Sequence, residues 1–330
     1  MNEYEKIEYI FKGFFLPEKS VEIINPFTGN GILTNKFLKD YKCILYDLEP
    51  DNDTIQKRDI FLDPPDYNNK FIVTQPPVLA LNMTKKKEIF KKYETDNLYK
   101  CFLKQLIMAE NIIGGIIILP LNFWCSTRNI DIKLRQGFLS IYNIIKLNIY
   151  EEVIFEKLSH TICSFQFIPK TLEKNIPIEI FPSSSILSID LNEDNNYTFG
   201  GEIFNLQKNE KYQITRLYKN GTPNTNILVK CIDDNKDNMI SMKIVNDTEL
   251  VYDNSDNKSE RGYATLVILP PITLEQQTQL VCDFNKFINE ERAKYHSLFL
   301  LNFRESILMA RKRISFELVY SIVGFLLNKF

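Results

Sequence analysis

The apolar run Phe71-Ile-Val-Thr74 leads into Gln75, Pro76, Pro77 and Val78. A strand that runs into a carboxamide and a rigid di-proline turn can hold an amide oxygen over a reaction centre. Glutamine is no carboxylate base, so the chemistry it offers is hydrogen-bond acceptance rather than acid chemistry. A loop that merely ends a strand has the same appearance. A second set of residues lies upstream in Asn25-Pro26-Phe27-Thr-Gly29-Asn-Gly31, between the strand-like VEIIN and the helix-like ILTNKFLKDY. Gly29 and Gly31 permit a tight turn with close backbone approach to a ligand, and the following helix offers free N–H groups. Thr34 stands where a dinucleotide fingerprint needs its third glycine, and no Lys-Ser/Thr pair follows to make a phosphate loop. Asp47, with Leu48 beside it, ends the next apolar run, where a carboxylate can take the hydroxyl pair of a ribose. Asp59 follows in a third loop. Each acid alone reads as a solvated loop residue. One per strand end, in order, they describe a nucleoside-binding crevice.

The elements that must position these residues alternate. Strand-like runs at 21–26, 43–50 and 71–77 are separated by helical stretches, one of them over 96–111 with Leu98, Phe102, Leu106 and Ile107 at helical spacing. Gly114 and Gly115 lead into IIILPLNF, apolar enough to be buried on both faces. This pattern predicts a parallel sheet in an α/β domain. Runs at 142–151 and 160–170 read as its last strands, an antiparallel hairpin at the sheet edge, which closes a first domain over 1–170. Beyond it the chain is polar and rich in Ser and Asn, with short strands punctuated by Asn-Gly and Asp-rich turns. Helices are expected from about Thr273 and over 315–328. The 171–330 region is thus a smaller mixed domain with a helical tail.

The composition excludes several classes. With 330 residues, a net charge of −2 and a pI near 5.9, the chain is not globally basic, so any nucleic-acid contact must use a local face. The 24 Phe and 16 Tyr are a bias of the kind an AT-rich genome imposes. Six cysteines lack Cys-x-x-Cys spacing and read as buried thiols of a reducing compartment. His160 and His296 are the two histidines, which argues against a zinc site, and no metal is expected. No run is long enough to span a membrane, and the N-terminus is not signal-like. A soluble intracellular protein is expected.

Taken in order, NPFTGNG, LYDLEP, QKRDIF and TQPPV resemble the S-adenosylmethionine-dependent DNA methyltransferases that modify the adenine N6 amino group. These occur in restriction–modification systems and in large DNA viruses. The resemblance covers residues 20 to about 170, and GGIIILPLNFW and HTICSFQF are similar to later motifs of that family. It implies a Rossmann-like class I methyltransferase domain, with a smaller α+β target-recognition-like domain and C-terminal helices over 171–330. It implies S-adenosyl-L-methionine as cofactor. Asn25, Pro26, Phe27, Gly29 and Gly31 would cradle its methionine part, Asp47 would take its ribose and Asp59 with its neighbours would read its adenine ring, with Leu48 a further cofactor-binding residue.

The pattern breaks at the catalytic end. The family presents Asn or Asp, two prolines and an aromatic ring. The side-chain oxygen and the first proline carbonyl accept the two amine hydrogens, and the ring stacks on the flipped base. Gln75 keeps the acceptor but adds a methylene, a displacement of about 1 Å that can cost roughly a hundredfold in rate. Val78 has no ring, where stacking is worth about 1–3 kcal/mol. Leu81 replaces an expected basic residue, and His160 occupies the place of a second base-packing aromatic. With Gln75, Pro76, Pro77, Val78 and His160 as a degenerate catalytic set, the resemblance implies a homologue in which transfer is lost or severely impaired. Such a protein would act through DNA binding or as a non-catalytic partner of an active methyltransferase. The alternative is an active adenine-N6 enzyme with an altered target-base pocket. Lys85, Lys86, Lys87, Lys91 and Lys92 beside the loop, and Arg128 and Arg135 farther on, are candidate contacts to the phosphates of double-stranded DNA. Arg311, Lys312 and Arg313 form another cationic cluster. The other partner options are the active methyltransferase or a homo-oligomer. The expected location is the cytoplasm, or the nucleus or virus for a viral protein.

Overall fold

A computed structural model describes residues 3–330 apart from 30, 32, 34–37, 85–86, 153, 155–160, 235–236, 238, 254–261 and 306–309. The chain divides into two compact units, residues 1–192 and 193–330.

The first unit begins with α1 (Glu3–Ile10) and then lays down β1 (Ile23–Asn25), β2 (Cys43–Asp47), β3 (Gln56–Lys57) and β4 (Phe71–Thr74). Helices α2 (Glu88–Tyr93) and α3 (Leu98–Met108) precede β5 (Gly114–Pro120). The short α4 (Asn122–Cys125) and α5 (Asn129–Ile141) lead to β6 (Tyr142–Tyr150), β7 (Ile162–Pro169), β8 (Asn175–Phe181) and β9 (Ser185–Asp190). These nine strands form one sheet in the order β3-β2-β1-β4-β5-β7-β6-β8-β9. β1 to β5 are mutually parallel, and β7 runs antiparallel to both β5 and β6. The first seven strands thus have the order and the single reversed strand of the Rossmann-like class I methyltransferase fold.

β1, β4 and β5 are buried along their whole length, as a sheet covered on both faces requires. At Gly115 a Cβ would fall 2.6 Å from the Ile72 carbonyl oxygen and 2.7 Å from the Phe167 ring, so only glycine lets β5 enter between β4 and β7. On one flank the phenylalanines interlock. Trp124 meets Phe165 edge-on at 5.3 Å between centroids, and Phe138 meets Phe167 at 5.4 Å. The aromatic content therefore does packing work here. On the other flank the segment after α1 is tied to the sheet, with Tyr150 Oη donating to Ile10 O at 2.6 Å and Gln166 Nε2 to Phe15 O at 2.6 Å.

Two expectations change. The β6–β7 pair is antiparallel as read, but β7 lies between β5 and β6, and β8 and β9 extend the sheet beyond β6. The first unit consequently runs to residue 192 rather than 170. The signal was present in Ile176, Ile178 and Ile180, which alternate with Asn175, Pro177 and Glu179 and are buried, while β9 buries only Ile189. The helix expected over 32–41 falls largely outside the described residues.

The second unit holds an antiparallel sheet, β10-β13-β11-β12, from β10 (Gln213–Arg216), β11 (Ile227–Lys230), β12 (Ser241–Ile244) and β13 (Tyr263–Leu269). Helix α6 (Leu274–Tyr295) starts at a capping box on Thr273, where sequence analysis places it, and buries Phe284, Ile288 and Tyr295. A hairpin of β14 (Leu301–Glu305) and β15 (Ala310–Arg313) precedes α7 (Phe316–Leu327), capped by Ser315. Asparagines complete this sheet. Asn285 of α6 exchanges two hydrogen bonds with the backbone of Met242 on edge strand β12, at 2.8 and 2.9 Å. Asn224 does the same to Ile268 of β13, at 2.7 and 3.0 Å. A carboxamide that copies a peptide group closes a strand edge to further pairing.

Candidate cofactor-binding site

The direction of strand succession reverses between β1 and β4, and open α/β sheets bind ligands outside the carboxyl ends of their strands at such a point. The loops after β1, β2, β3 and β4 meet there around a cavity of about 450 Å³, within the roughly 300–1,000 Å³ usual for small-molecule sites. Pro26, Phe27, Gly29, Asp47 and Leu48 line it, and so do Asp59, Gln75 and Pro77. The structure thus gathers residues that sequence analysis takes from four separate loops.

The glycine turn is held from several sides. Gly29 and Gly31 have φ of +57° and +72°. No heavy atom lies within 4 Å of a Cβ built on Gly29, so conformation rather than crowding calls for glycine. The Gly29 N–H donates to Asp47 Oδ2 at 2.8 Å, Thr28 N–H to Tyr46 O at 2.9 Å, and Glu49 N–H to Asp47 Oδ1 at 3.0 Å. Asp47 therefore anchors the turn while lining the cavity. A carboxylate has about four acceptor positions, so two stay free for a ligand's hydroxyls. Asn25 is buried and outside the cavity lining. Its Oδ1 accepts from Phe27 N–H at 3.2 Å and from Thr74 Oγ1 at 2.8 Å, which ties the β1 loop to the end of β4. Its Nδ2 is buried without a partner among the described residues. Gly31 shapes the turn and likewise stays outside the lining.

After β3, Asp59 Oδ1 accepts from Phe61 N–H at 3.0 Å and Leu62 N–H at 3.2 Å, which folds a turn that presents Ile60 and Phe61 to the cavity. Arg58 also lines it, but its guanidinium is taken up by Asp63 and by the Pro64 carbonyl. Phe27 and Phe61 stand 5.5 Å apart at 33°, and Ile89, Phe90 and Leu98 complete an apolar wall. Apolar and aromatic walls with two carboxylates at the rim suit a planar ring carrying a sugar. Sequence analysis missed Ile89 and Phe90 because they sit inside a run otherwise read as charge. Phe61 was legible, two residues past Asp59.

The Gln75 side differs. Gln75 is exposed, and its amide has no hydrogen bond among the described residues. Pro76 is buried, and Val78 is 39% exposed and outside the lining. The backbone just beyond is fixed. Leu79 N–H donates to Asn97 Oδ1 at 3.1 Å, Leu98 N–H to Leu79 O at 3.1 Å, and Leu81 N–H to Asp96 O at 2.9 Å. Asp96 is paired in turn with Lys100 and Arg128, each at 2.6 Å. Burial pushes its carboxyl up, but the two cations outweigh that and hold it below its ordinary value.

The basic candidates fare unequally. Lys87 and Lys91 are exposed. Lys92 donates to Phe61 O at 2.9 Å. Arg128 is committed to Asp96 and to buried Asp131, the latter at 2.9 Å. Arg135 is corrected outright: it is fully buried, bonds Phe123 O and Ser126 O, and cannot reach a phosphate. Burial brings its guanidinium down to about 10, still charged at neutral pH. In the second unit Lys312 is buried beside His296 O. Lys85, Lys86 and His160 lie outside the described residues. Among the described residues no cluster of His, Cys, Asp or Glu could hold a metal, and no helix is long and apolar enough to cross a membrane. Cys101, Cys125, Cys163 and Cys231 are buried thiols, whereas Cys282 is exposed.

No family profile and no curated protein matches the chain. Solved structures similar to it include a modification subunit assigned to a type I restriction enzyme from Vibrio vulnificus, at 12% identity and a TM-score of 0.44, covering 55% of this chain and 46% of that one. The type I restriction-modification methyltransferase subunit from Streptococcus thermophilus is 10% identical with a TM-score of 0.40, over 54% and 45%. The type IIG restriction endonuclease BpuSI is 12% identical with a TM-score of 0.43, over 66% and 35%. The chain spans less than half the length of each of these. The fold assignment rests on the strand order above.

Proposed function

We propose that the chain is a homologue of the DNA adenine-N6 methyltransferases that keeps an S-adenosyl-L-methionine pocket and has lost, or nearly lost, methyl transfer. One observation carries this reading: eleven residues of the ordered motifs, from Pro26 to Pro77, line one cavity at the switch point of the sheet. The residues present fit the cofactor. The positive-φ glycine turn offers close backbone approach, Asp47 has acceptor positions to spare for a ribose, and the Phe27–Phe61 wall suits a purine. When bound, the cofactor would supply an activated methyl group. The chain would supply orientation, and here it falls short, because Gln75 is exposed with no hydrogen bond to its amide among the described residues and Val78 carries no ring. The protein then acts through double-stranded DNA, or as the non-catalytic partner of an active methyltransferase. Among the described residues Lys87 and Lys91 remain exposed phosphate candidates, and residues 193–330 would take the recognition role.

The test is calorimetric titration with S-adenosylmethionine and methyl transfer from labelled cofactor to mixed double-stranded DNA, on one sample. Binding without transfer is expected, with transfer gained in the Gln75→Asn/Val78→Tyr double variant. Wild-type transfer that Gln75→Ala abolishes would overturn the reading in favour of an active enzyme with an altered base pocket.

A further inference from the structure

The apolar wall formed by Ile60 and Phe61 is held from behind, by groups that do not face the cavity. Gln105, in the last turns of α3, is buried, and its Nε2 donates to Ile60 O at 2.7 Å and to Tyr93 Oη at 2.9 Å. Its Oε1 accepts from Tyr67 Oη at 3.2 Å. Tyr93 Oη donates onward to Phe61 O at 3.0 Å. Both tyrosines are buried, and burial pushes the Tyr67 hydroxyl well above its ordinary range, so it stays protonated as a donor. The Gln105 amide nitrogen thereby fixes two consecutive carbonyls, one directly and one through Tyr93, while its oxygen is taken up by Tyr67. Tyr67, Tyr93 and Gln105 line a second cavity, of about 410 Å³. The Ile60–Phe61 turn thus lines the first cavity, while its carbonyls are bonded by side chains that line the second.

A satisfied buried network of this kind fixes one geometry, whereas a turn held only by Asp59 could rotate its peptide planes. The opposite end of the same helix holds the other lip, through Leu98 N–H to Leu79 O. We infer that Tyr67, Tyr93 and Gln105 are positioning residues for the ring end of the cavity: they set the Ile60–Phe61 wall against which the ligand's base packs. This rests on the cavity being the cofactor site.

The experiment uses the full chain, as wild type, Tyr93→Phe and Gln105→Met. Calorimetry with S-adenosylhomocysteine and with adenosine is paired with amide hydrogen exchange of the ligand-free proteins. Loss of the Tyr93 hydroxyl is expected to weaken both ligands by the same factor, about tenfold, since both share the ring. It should also speed exchange at Phe61 and Leu62 while leaving the β4 and β5 amides unchanged. A merely structural role would raise exchange throughout the unit. Unchanged affinities in Tyr93→Phe, with a wild type that binds both ligands, would overturn this inference and leave the cofactor reading intact. A wild type that binds neither ligand would overturn the cofactor reading and this inference with it. Gln105→Met should show the same pattern more strongly.

Discussion

The two lips of the cavity are built to different standards. On the Asn25–Asp59 lip, Asp47 takes two backbone N–H groups, Asn25 ties β1 to β4, and Asp59 folds the next turn. On the Gln75 lip the backbone is pinned at Leu79 and Leu81, yet the two side chains that would face a substrate stand exposed. A backbone can be kept in place for stability alone. Side chains stay preorganised only where something holds them, and transfer chemistry depends on that.

The largest expected effect lies away from both lips, in the core. Arg135→Met leaves the Phe123 and Ser126 carbonyls unpaired in the core, which should cost about 3 kcal/mol or more in urea unfolding. A surface role in DNA binding would instead leave stability unchanged and reduce the salt dependence of DNA affinity. Next, Asp47→Ala removes the anchor of the glycine turn and should weaken S-adenosylhomocysteine by about 30- to 100-fold, or about 2–3 kcal/mol. A change below threefold would mean that the turn holds without it. Asp96→Asn should cost about 1 kcal/mol at pH 6. The Asp96 carboxyl titrates below its ordinary value of 3.8 when folded. Its contribution is therefore complete above that value and disappears as pH falls through the lowered one. Unfolding midpoints of wild type and Asp96→Asn should then converge on acidification, and parallel curves would contradict the pairing. The smallest effect belongs to Gln75→Ala, which should alter stability by less than about 0.5 kcal/mol and leave cofactor affinity within about twofold. A larger loss would show that the Gln75 lip is organised after all.

Much of the fold was legible because buried parallel strands are written as unbroken apolar runs. FIVT and GGIIILP could hardly be anything else, and Thr273 announces α6 through its capping box. The strands over 175–190 were not legible in this way, because a sheet's last strands are half exposed and read as polar, turn-prone chain. The candidate site was legible at its strand ends, where each element leaves one chemically distinctive residue. Its apolar wall was not, since Ile89 and Phe90 resemble any core residue until a cavity is seen beside them.

Charge was where linear reading failed most. Lys92, Arg128 and Arg135 all have the residue type of a phosphate contact, and all three are spent on carbonyls or carboxylates of their own chain. The sequence by itself determined the strand-and-loop order, the glycine turn, the acids that follow it and the di-proline turn ending in Val78, because these depend on local residue type and spacing. Only the tertiary structure decided which cations are free, which carbonyls hold the cavity wall, and that Asn25 braces the site from outside. Those outcomes depend on which distant groups meet once the chain is packed, since a buried polar group takes whatever partner the fold brings within reach.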